Sequence, residues 1–444
     1  MIHSEYFQSI FGTAPMRAVF SDRRRIDSWL DSESALANAQ ARVGLIPTEA
    51  AFRIMSAARL ESADLAAMKA EYDRVGFPVL PLVHQLAKAC DPESARWIHW
   101  GATTQDIIDT GLALQMKQGL ELLEKQLADV IQDLVGLTRT HRNTVMPGRT
   151  FQQQAAPITF GFKTAIWLDE LLRHRERLGQ VRQRALVVQF GGAVGTLATL
   201  GDQGTAVVRE LAKELGLGVP PISWHTARDG WADVVFWLAL VATTLGKIAS
   251  EIAMLMRTEV NEVREPYQPG RGGSSTMPQK RNPIACPPMI AIAHRVRDLV
   301  PSQLTAMIQE HERAVATQPL EWLVIPEAFI LTSGSLKHAH SSLADLEVDA
   351  DRMKQNLNLD GGLLMAESVM MGLAPKIGRG QAHEIVSAAA NRAIDEKCSL
   401  RTALLDDAKI MELVSVEEID RLLDPGNYLG SAQAMIDAVL ERAG

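Results

Sequence analysis

The segment Gly270-Arg271-Gly272-Gly273-Ser274-Ser275-Thr276-Met277-Pro278-Gln279-Lys280-Arg281-Asn282-Pro283 concentrates three glycines, two serines, a lysine and an asparagine. Glycines let backbone N–H groups converge on an anion. Lys280 adds a compact positive charge, and Asn282 both donates and accepts hydrogen bonds. Such a loop suits a site where negative charge develops during a reaction while a neighbouring serine moves a proton. On composition alone it is equally a solvated surface loop with a chance basic pair. A second candidate is His99-Trp100-Gly101-Ala102-Thr103-Thr104-Gln105-Asp106. Thr103 or Thr104 there can cap a helix, and the first-turn N–H groups with their hydroxyls can hold a carboxylate. Simple capping is the alternative. A third stretch runs from Gly148 to Gly161 and includes Thr150, Phe151 and Gln153.

The elements that must position these residues are helical. Apolar residues recur from Leu112 through Met116, Leu120, Leu123, Leu127, Ile131 and Leu134 at spacings of three and four. A second long helix is expected from Trp231 to Glu265, and a third from Thr159 to Ala185 with Trp167, Leu171, Leu172 and Leu178 inward. Period-two strand signals are scarce. Helices of this length are stabilised chiefly by lateral packing, which predicts an all-α chain with an elongated bundle at its centre. The expected division is 1–98, 99–348 and 349–444, with the bundle and the glycine-rich loop in the middle part.

Bulk properties narrow the function. A net charge of −8 disfavours a nucleic-acid surface, although a local basic pocket can still hold an anion. Cys90, Cys286 and Cys398 are far apart, odd in number and without metal-ligand spacing, as in a reducing compartment. The apolar run Val234 to Leu245, bracketed by Asp233 and Lys247, is too short to span a bilayer and reads as a buried helix. The residues Met1 to Tyr6 carry no basic stretch ahead of an apolar core. The expectation is a cytoplasmic protein with no membrane or nucleic-acid partner. No cofactor or metal motif is visible.

Gly273-Ser274-Ser275-x-Met277-Pro278-x-Lys280-x-Asn282 resembles the signature of the fumarase/aspartase superfamily. The His99–Thr110 turn and the Gly148–Gly161 stretch resemble that superfamily's two other site segments. The likeness runs from about residue 3 to residue 440, and the three-domain fold it implies is that of a helical protomer. Central helices would form the core of a homotetramer, with each active site shared by three subunits. It implies Ser274 as base, with Lys280 and Asn282 stabilising a doubly charged aci-carboxylate. Thr103, Thr104, Thr150, Gln153, Ser275 and Met277 would bind a small polycarboxylate. Arg228 is assigned to substrate binding as well, a structural ion pair being the alternative. His84, His225 and His311 are read first as packed or capping residues, with proton transfer by His225 or His311 and a substrate contact by His84 as the alternatives.

Two positions depart from the superfamily pattern. Phe151 stands where the family's Gly-x-Thr-His-x-Gln stretch has its histidine, and a phenyl ring donates no proton. That residue, with Gln189–Leu197, Trp224–Asp229, Glu310–Arg313 and Glu321-Trp322, resembles the branch of muconate cycloisomerases, enzymes of aromatic compound catabolism on the β-ketoadipate pathway. Gln279 in Met-Pro-Gln-Lys is instead similar to argininosuccinate lyase. The first expectation is therefore a 3-carboxy-cis,cis-muconate cycloisomerase-like activity, in which a carboxylate adds within one molecule. The second is a C–N lyase that releases fumarate and an amine. A non-enzymatic helical scaffold is the remote third.

Overall fold

The computed structural model describes residues 4–266, 273, 276–277 and 279–444. Its frame is five long helices, Thr104–Thr140, Phe160–Ala185, Asp229–Leu255, Cys286–Ala306 and Gln318–Leu343. The first has 37 residues, roughly 55 Å at 1.5 Å per residue. Its stripe Met116, Leu120, Leu123, Leu127, Ile131 and Leu134 is fully buried, as the periodicity requires. Glycine inside a helix is weak, yet Gly111 has a reason: a Cβ there would stand 2.5 Å from Trp29 Cδ1. Among the described residues, strands form only two antiparallel pairs, Val145–Thr150 with Gln153–Thr159 and Val263–Arg264 with Glu347–Val348.

The helix expected to reach Glu265 stops ten residues earlier, at Leu255. Asn261 takes a φ of +52°, and Glu262 N donates to Leu255 O at 3.0 Å, which turns the chain back into the Val263–Arg264 strand. Asparagine tolerates the left-handed region better than most residues, and a propensity reading does not register that turn. Within this helix an 18-residue window has a mean hydropathy of 1.6 and is 61% buried inside the protein, as a core helix is.

The chain forms two compact units. One comprises Met1–Leu127, His174–Gly246 and Pro288–Lys337, and the other comprises Ala128–Arg173, Lys247–Pro287 and His338–Gly444. In the first, the Asp22–Arg42 helix packs Ala35, Leu36 and Ala39 against Val207, Val208 and Leu211 of the Gly204–Leu215 helix. In the second, the helices Ala366–Ile377, Arg379–Asp395, Leu400–Leu405 and Val416–Leu423 close over a core of Val369, Leu373, Val386, Leu404 and Ile419.

A charge cluster lies at the heart of the first unit. The Arg228 side chain is wholly buried, as are those of Asp109 and Glu321. Its Nη1 and Nη2 donate to Asp109 at 2.6 and 3.1 Å, and its Nε and Nη2 donate to Glu321 at 3.1 and 2.5 Å. The guanidinium also lies against two indoles, 4.9 Å from the Trp224 ring centroid and 4.2 Å from that of Trp231. A planar five-donor fork meets both carboxylates at once, which a lysine cannot do. Burial pulls the Arg228 pKa down, but Asp109 and Glu321 outweigh that and leave it above its ordinary value. Burial pushes Glu321 up, against the opposing pull of Arg228.

Removing one partner from a buried ion pair leaves charge without compensation, typically a loss of about 3–5 kcal/mol. Arg228→Met should destabilise the protein by about that amount in denaturant unfolding. A loss below about 1 kcal/mol would show that the cluster does not hold the unit together.

Candidate active site

In the first unit the site begins at the turn that enters the Thr104–Thr140 helix. Gly101 has a φ of +73°, and a Cβ there would lie 2.9 Å from Leu200 Cδ2 and 3.0 Å from Thr199 Oγ1. Ala102 N closes the turn on His99 O at 3.2 Å. Thr103 stands in the cap position, and its N–H donates to Asp106 Oδ2 at 3.0 Å, the backward arm of a capping box. Asp106 is fully buried and does more than cap. It accepts from Gly191 N and Gly192 N, both at 2.9 Å, and from His225 Nε2 at 2.7 Å. One carboxylate thus fixes the threonine turn, the Gly191-Gly192 segment and His225.

The next residue inward is Gln105. Its Nε2 donates to Asp109 Oδ2 and to His225 O, and its Oε1 accepts from Arg313 Nε at 2.8 Å. Arg313 Nη1 in turn donates to Ala193 O at 3.1 Å. His99 pairs through Nδ1 with Glu33 Oε1 at 2.6 Å. Burial lowers the His99 pKa, and Glu33 with help from Asp106 more than reverses this, leaving it raised.

In the second unit, Thr150 and Gln153 face each other as the last pair of the Val145–Thr150/Gln153–Thr159 hairpin. Phe151 and Gln152 form its two-residue turn with φ values of +49° and +64°, the geometry of a type I′ connection. The Phe151 side chain is fully exposed. Arg149 grips the buried Glu262 through two bonds of 2.9 and 2.6 Å, and Asn356 Nδ2 adds a third at 2.8 Å. Three residues on, Glu265 binds the far stem of the glycine-rich loop. Its carboxylate accepts from Ile284 N at 2.7 Å, Ala285 N at 3.0 Å and Cys286 N at 3.1 Å, where the Cys286–Ala306 helix begins. Arg281 joins the same stem, donating to Glu265 O at 3.2 Å and to Glu347 Oε1 at 2.9 Å.

Of the residues chosen from sequence, Thr103 and Thr104 lie half-buried in the first unit. The second unit holds Thr150 and Gln153, both exposed at the hairpin tip, and Met277, Lys280 and Asn282 in the loop. Met277 is 43% exposed, Lys280 is exposed and Asn282 is half-buried. Ser274 and Ser275 fall outside the described residues. Arg228 stands apart from the expectation of substrate binding: with no accessible side-chain surface and its donors committed to Asp109 and Glu321, it secures helices. Asp106, Glu265 and the Glu33–His99 pair were missed from sequence. Only Asp106 had a local signal, an acid three residues after a capping threonine. Among the described residues no group of three or more His, Cys, Asp or Glu is arranged to hold a metal ion.

Burial, followed by the neighbouring Glu265 carboxylate, pushes the Cys286 thiol far above its ordinary range. Glu265→Ala should therefore do two things. It should cost about 1–3 kcal/mol by leaving the 284–286 N–H groups without their acceptor. It should also speed labelling of Cys286 by a thiol reagent at pH 8, because the helix start that buries the thiol opens more readily once its N–H groups lose their acceptor. Unchanged unfolding and unchanged labelling together would show that Glu265 does not anchor the loop stem.

Comparison with known proteins agrees with this geometry. Residues 11–297 match the family described as "Lyase", and residues 362–439 match "Adenylosuccinate lyase C-terminus". A 3-carboxy-cis,cis-muconate cycloisomerase of Pseudomonas aeruginosa is 45% identical over 440 residues, covering 98% of this chain and 96% of that protein. Trans-aconitate decarboxylase 1 of Mycosarcoma maydis is 41% identical, covering 98% of this chain and 88% of that one. The crystal structure of the 3-carboxy-cis,cis-muconate lactonizing enzyme of Pseudomonas putida superposes with a TM-score of 0.93 at 41% identity, covering 99% of both chains. The family match over residues 11–297 and these relatives show that the chain belongs to the lyase family of the fumarate lyase superfamily, and it is an enzyme.

Proposed function

We propose that this enzyme interconverts 3-carboxy-cis,cis-muconate and its lactone. The observation that carries the reading is Phe151, fully exposed at the hairpin tip between Thr150 and Gln153. A C–N or C–O elimination needs a proton for its departing amine or hydroxide, and a phenyl group at that position cannot give one. Lactonisation has no such need, because its nucleophile is the substrate's own carboxylate. The cycloisomerase relatives support the same choice.

In the lactonising direction a carboxylate oxygen forms a C–O bond to one alkene carbon. The π-electron pair moves to the adjacent carbon and is shared with that carbon's carboxylate as an aci-carboxylate. Ser274 then delivers a proton to that carbon, and the substrate trianion becomes a lactone dianion with net uptake of one proton. Lys280 and Asn282 are assigned to the charge that develops, usually the largest catalytic term. Thr103 and Thr104, at a capped helix start, are assigned to a substrate carboxylate, with Thr150, Gln153, Ser275 and Met277 completing the binding set. The serine oxyanion left behind needs a cation near it, and Lys280 is the assigned one. A cytoplasmic homotetramer with active sites built from three subunits is part of the proposal. Exposed apolar side chains on the long helices, among them Ile166, Phe236, Leu304 and Leu323, support assembly with further copies.

Gln279, an exposed amide that does not titrate near neutrality, favours a second reading, a C–N lyase acting on an N-substituted succinate. An ultraviolet assay separates the two. With 3-carboxy-cis,cis-muconate the diene absorbance should disappear with uptake of one proton per molecule. An inert muconate, with fumarate consumed in the presence of an amine, would establish the lyase instead. Ser274→Ala should abolish turnover, and full activity in that variant would remove Ser274 from the mechanism. Lys280→Met should lower kcat by about 10²–10³-fold with little change in melting temperature, because Lys280 is exposed.

A further inference from the structure

The mechanism above gives Asn356 no task, although it is wholly buried and both hydrogens of its amide are committed. It ends the helix Ala350–Asn356 of the second unit, whose start is capped by Asp349. Arg352 and Asn356 lie four residues apart, on one face of that helix. Arg352 Nε donates to Val260 O at 3.0 Å, and its Nη2 donates to Glu259 O at 2.8 Å. Asn356 Nδ2 donates to Val260 O and to Glu262 Oε1, each at 2.8 Å. Both side chains thus brace the turn at Asn261, where the chain bends back towards Glu265.

The same residue reaches the hairpin. Gln154 Nε2 donates to Asn356 O at 2.8 Å, while Arg149 grips Glu262. Arg149 and Gln154 are partners across the hairpin, one rung before the Thr150–Gln153 pair at its tip. Glu262 and Asn356 therefore hold that rung by both strands. Two amide oxygens here, Asn356 Oδ1 and Gln154 Oε1, are buried with no donor among the described residues. An unpaired buried acceptor costs stability, and apolar side chains of similar size avoid that cost. What the amides add is direction, because hydrogen bonds weaken steeply away from their preferred angles. We propose that Asn356 is a positioning residue of the reaction. With Glu262 it fixes the Arg149–Gln154 rung, and so sets where Thr150 and Gln153 stand relative to the backbone that carries Glu265. The inference rests on the assignment of Thr150 and Gln153 to the substrate. Binding and turnover are sensitive to such a setting, since a misplacement of about 1 Å can cost about 10²-fold in rate.

Three measurements on the intact enzyme test this: kinetics with 3-carboxy-cis,cis-muconate, calorimetric binding of propane-1,2,3-tricarboxylate, and amide hydrogen exchange. Asn356→Leu removes both donated bonds, and Gln154→Met removes only the bond from the hairpin. Each is assayed below its melting transition, so that only folded enzyme is compared. Asn356→Leu should lower kcat/KM by about tenfold or more, weaken tricarboxylate binding, and speed exchange across residues 149–154. Gln154→Met should raise KM about threefold with the melting temperature little changed, and it decides the matter alone if Asn356→Leu does not fold. A lower melting temperature in Asn356→Leu with wild-type kcat, KM and tricarboxylate affinity is a purely structural role and overturns the inference. Wild-type kinetics in Gln154→Met, or unaltered exchange across 149–154 in Asn356→Leu, overturns it as well. An inert muconate in the wild type, beside tricarboxylate binding that weakens in both variants, overturns the proposed reaction and leaves Asn356 standing.

Discussion

Everything in the first unit depends on one guanidinium with two carboxylates in a dry interior. Arg228 is the only cation among Arg228, Asp109 and Glu321, so the three carry a net negative charge where water cannot screen it. Geometry makes this tolerable: the fork satisfies both acids, Gln303 donates to Glu321, Gln105 donates to Asp109, and two indole faces supply π-density. Asp109 lies three residues beyond Asp106 on the same helix, so two neighbouring turns are pinned by separate polar hubs. The start of that helix, with Thr103 and Thr104, is therefore set by electrostatics deep in the core rather than by surface capping. Such rigidity suits an enzyme, because donors fixed beforehand need no reorganisation during reaction.

The second unit solves a related problem with different means. Order around the described stem of the glycine-rich segment comes from two buried carboxylates close together in sequence. Glu262 and Glu265 provide it from adjoining positions, one gripping Arg149 of the hairpin and the other the N–H groups that open the Cys286–Ala306 helix. The carboxylate at that helix start also meets the positive end of the helix dipole. Hairpin and loop stem are thereby tied to one short stretch of backbone.

Much of this was legible in the sequence. The stripe from Leu112 to Leu134 announced the longest helix because a 3.6-residue period is written directly in residue type. The ten-residue likeness around Lys280 and the threonine turn announced the family. What escaped notice were partners far apart in sequence. Nothing near Glu33 points to His99, 66 residues away, and nothing near Arg228 points to Asp109, 119 residues away. Arg228 looked like a ligand for substrate because charge is visible in a sequence and burial is not. The early end of the Asp229–Leu255 helix was hidden for another reason: Met256, Val260 and Val263 keep a helical spacing past Leu255 while a single asparagine redirects the backbone.

The hairpin tip has a consequence for how such an enzyme changes over time. At position 151 the fold asks for a positive φ and for nothing from the side chain, which is fully exposed. A histidine adopts that backbone region more readily than most residues, and a phenylalanine is accommodated because no neighbour crowds it. Position 151 is thus decoupled from folding: an acid can be lost or regained there without repacking a core. Side chains can change at such a tip without disturbing a core, and sites grafted on one scaffold in this way can serve several chemistries.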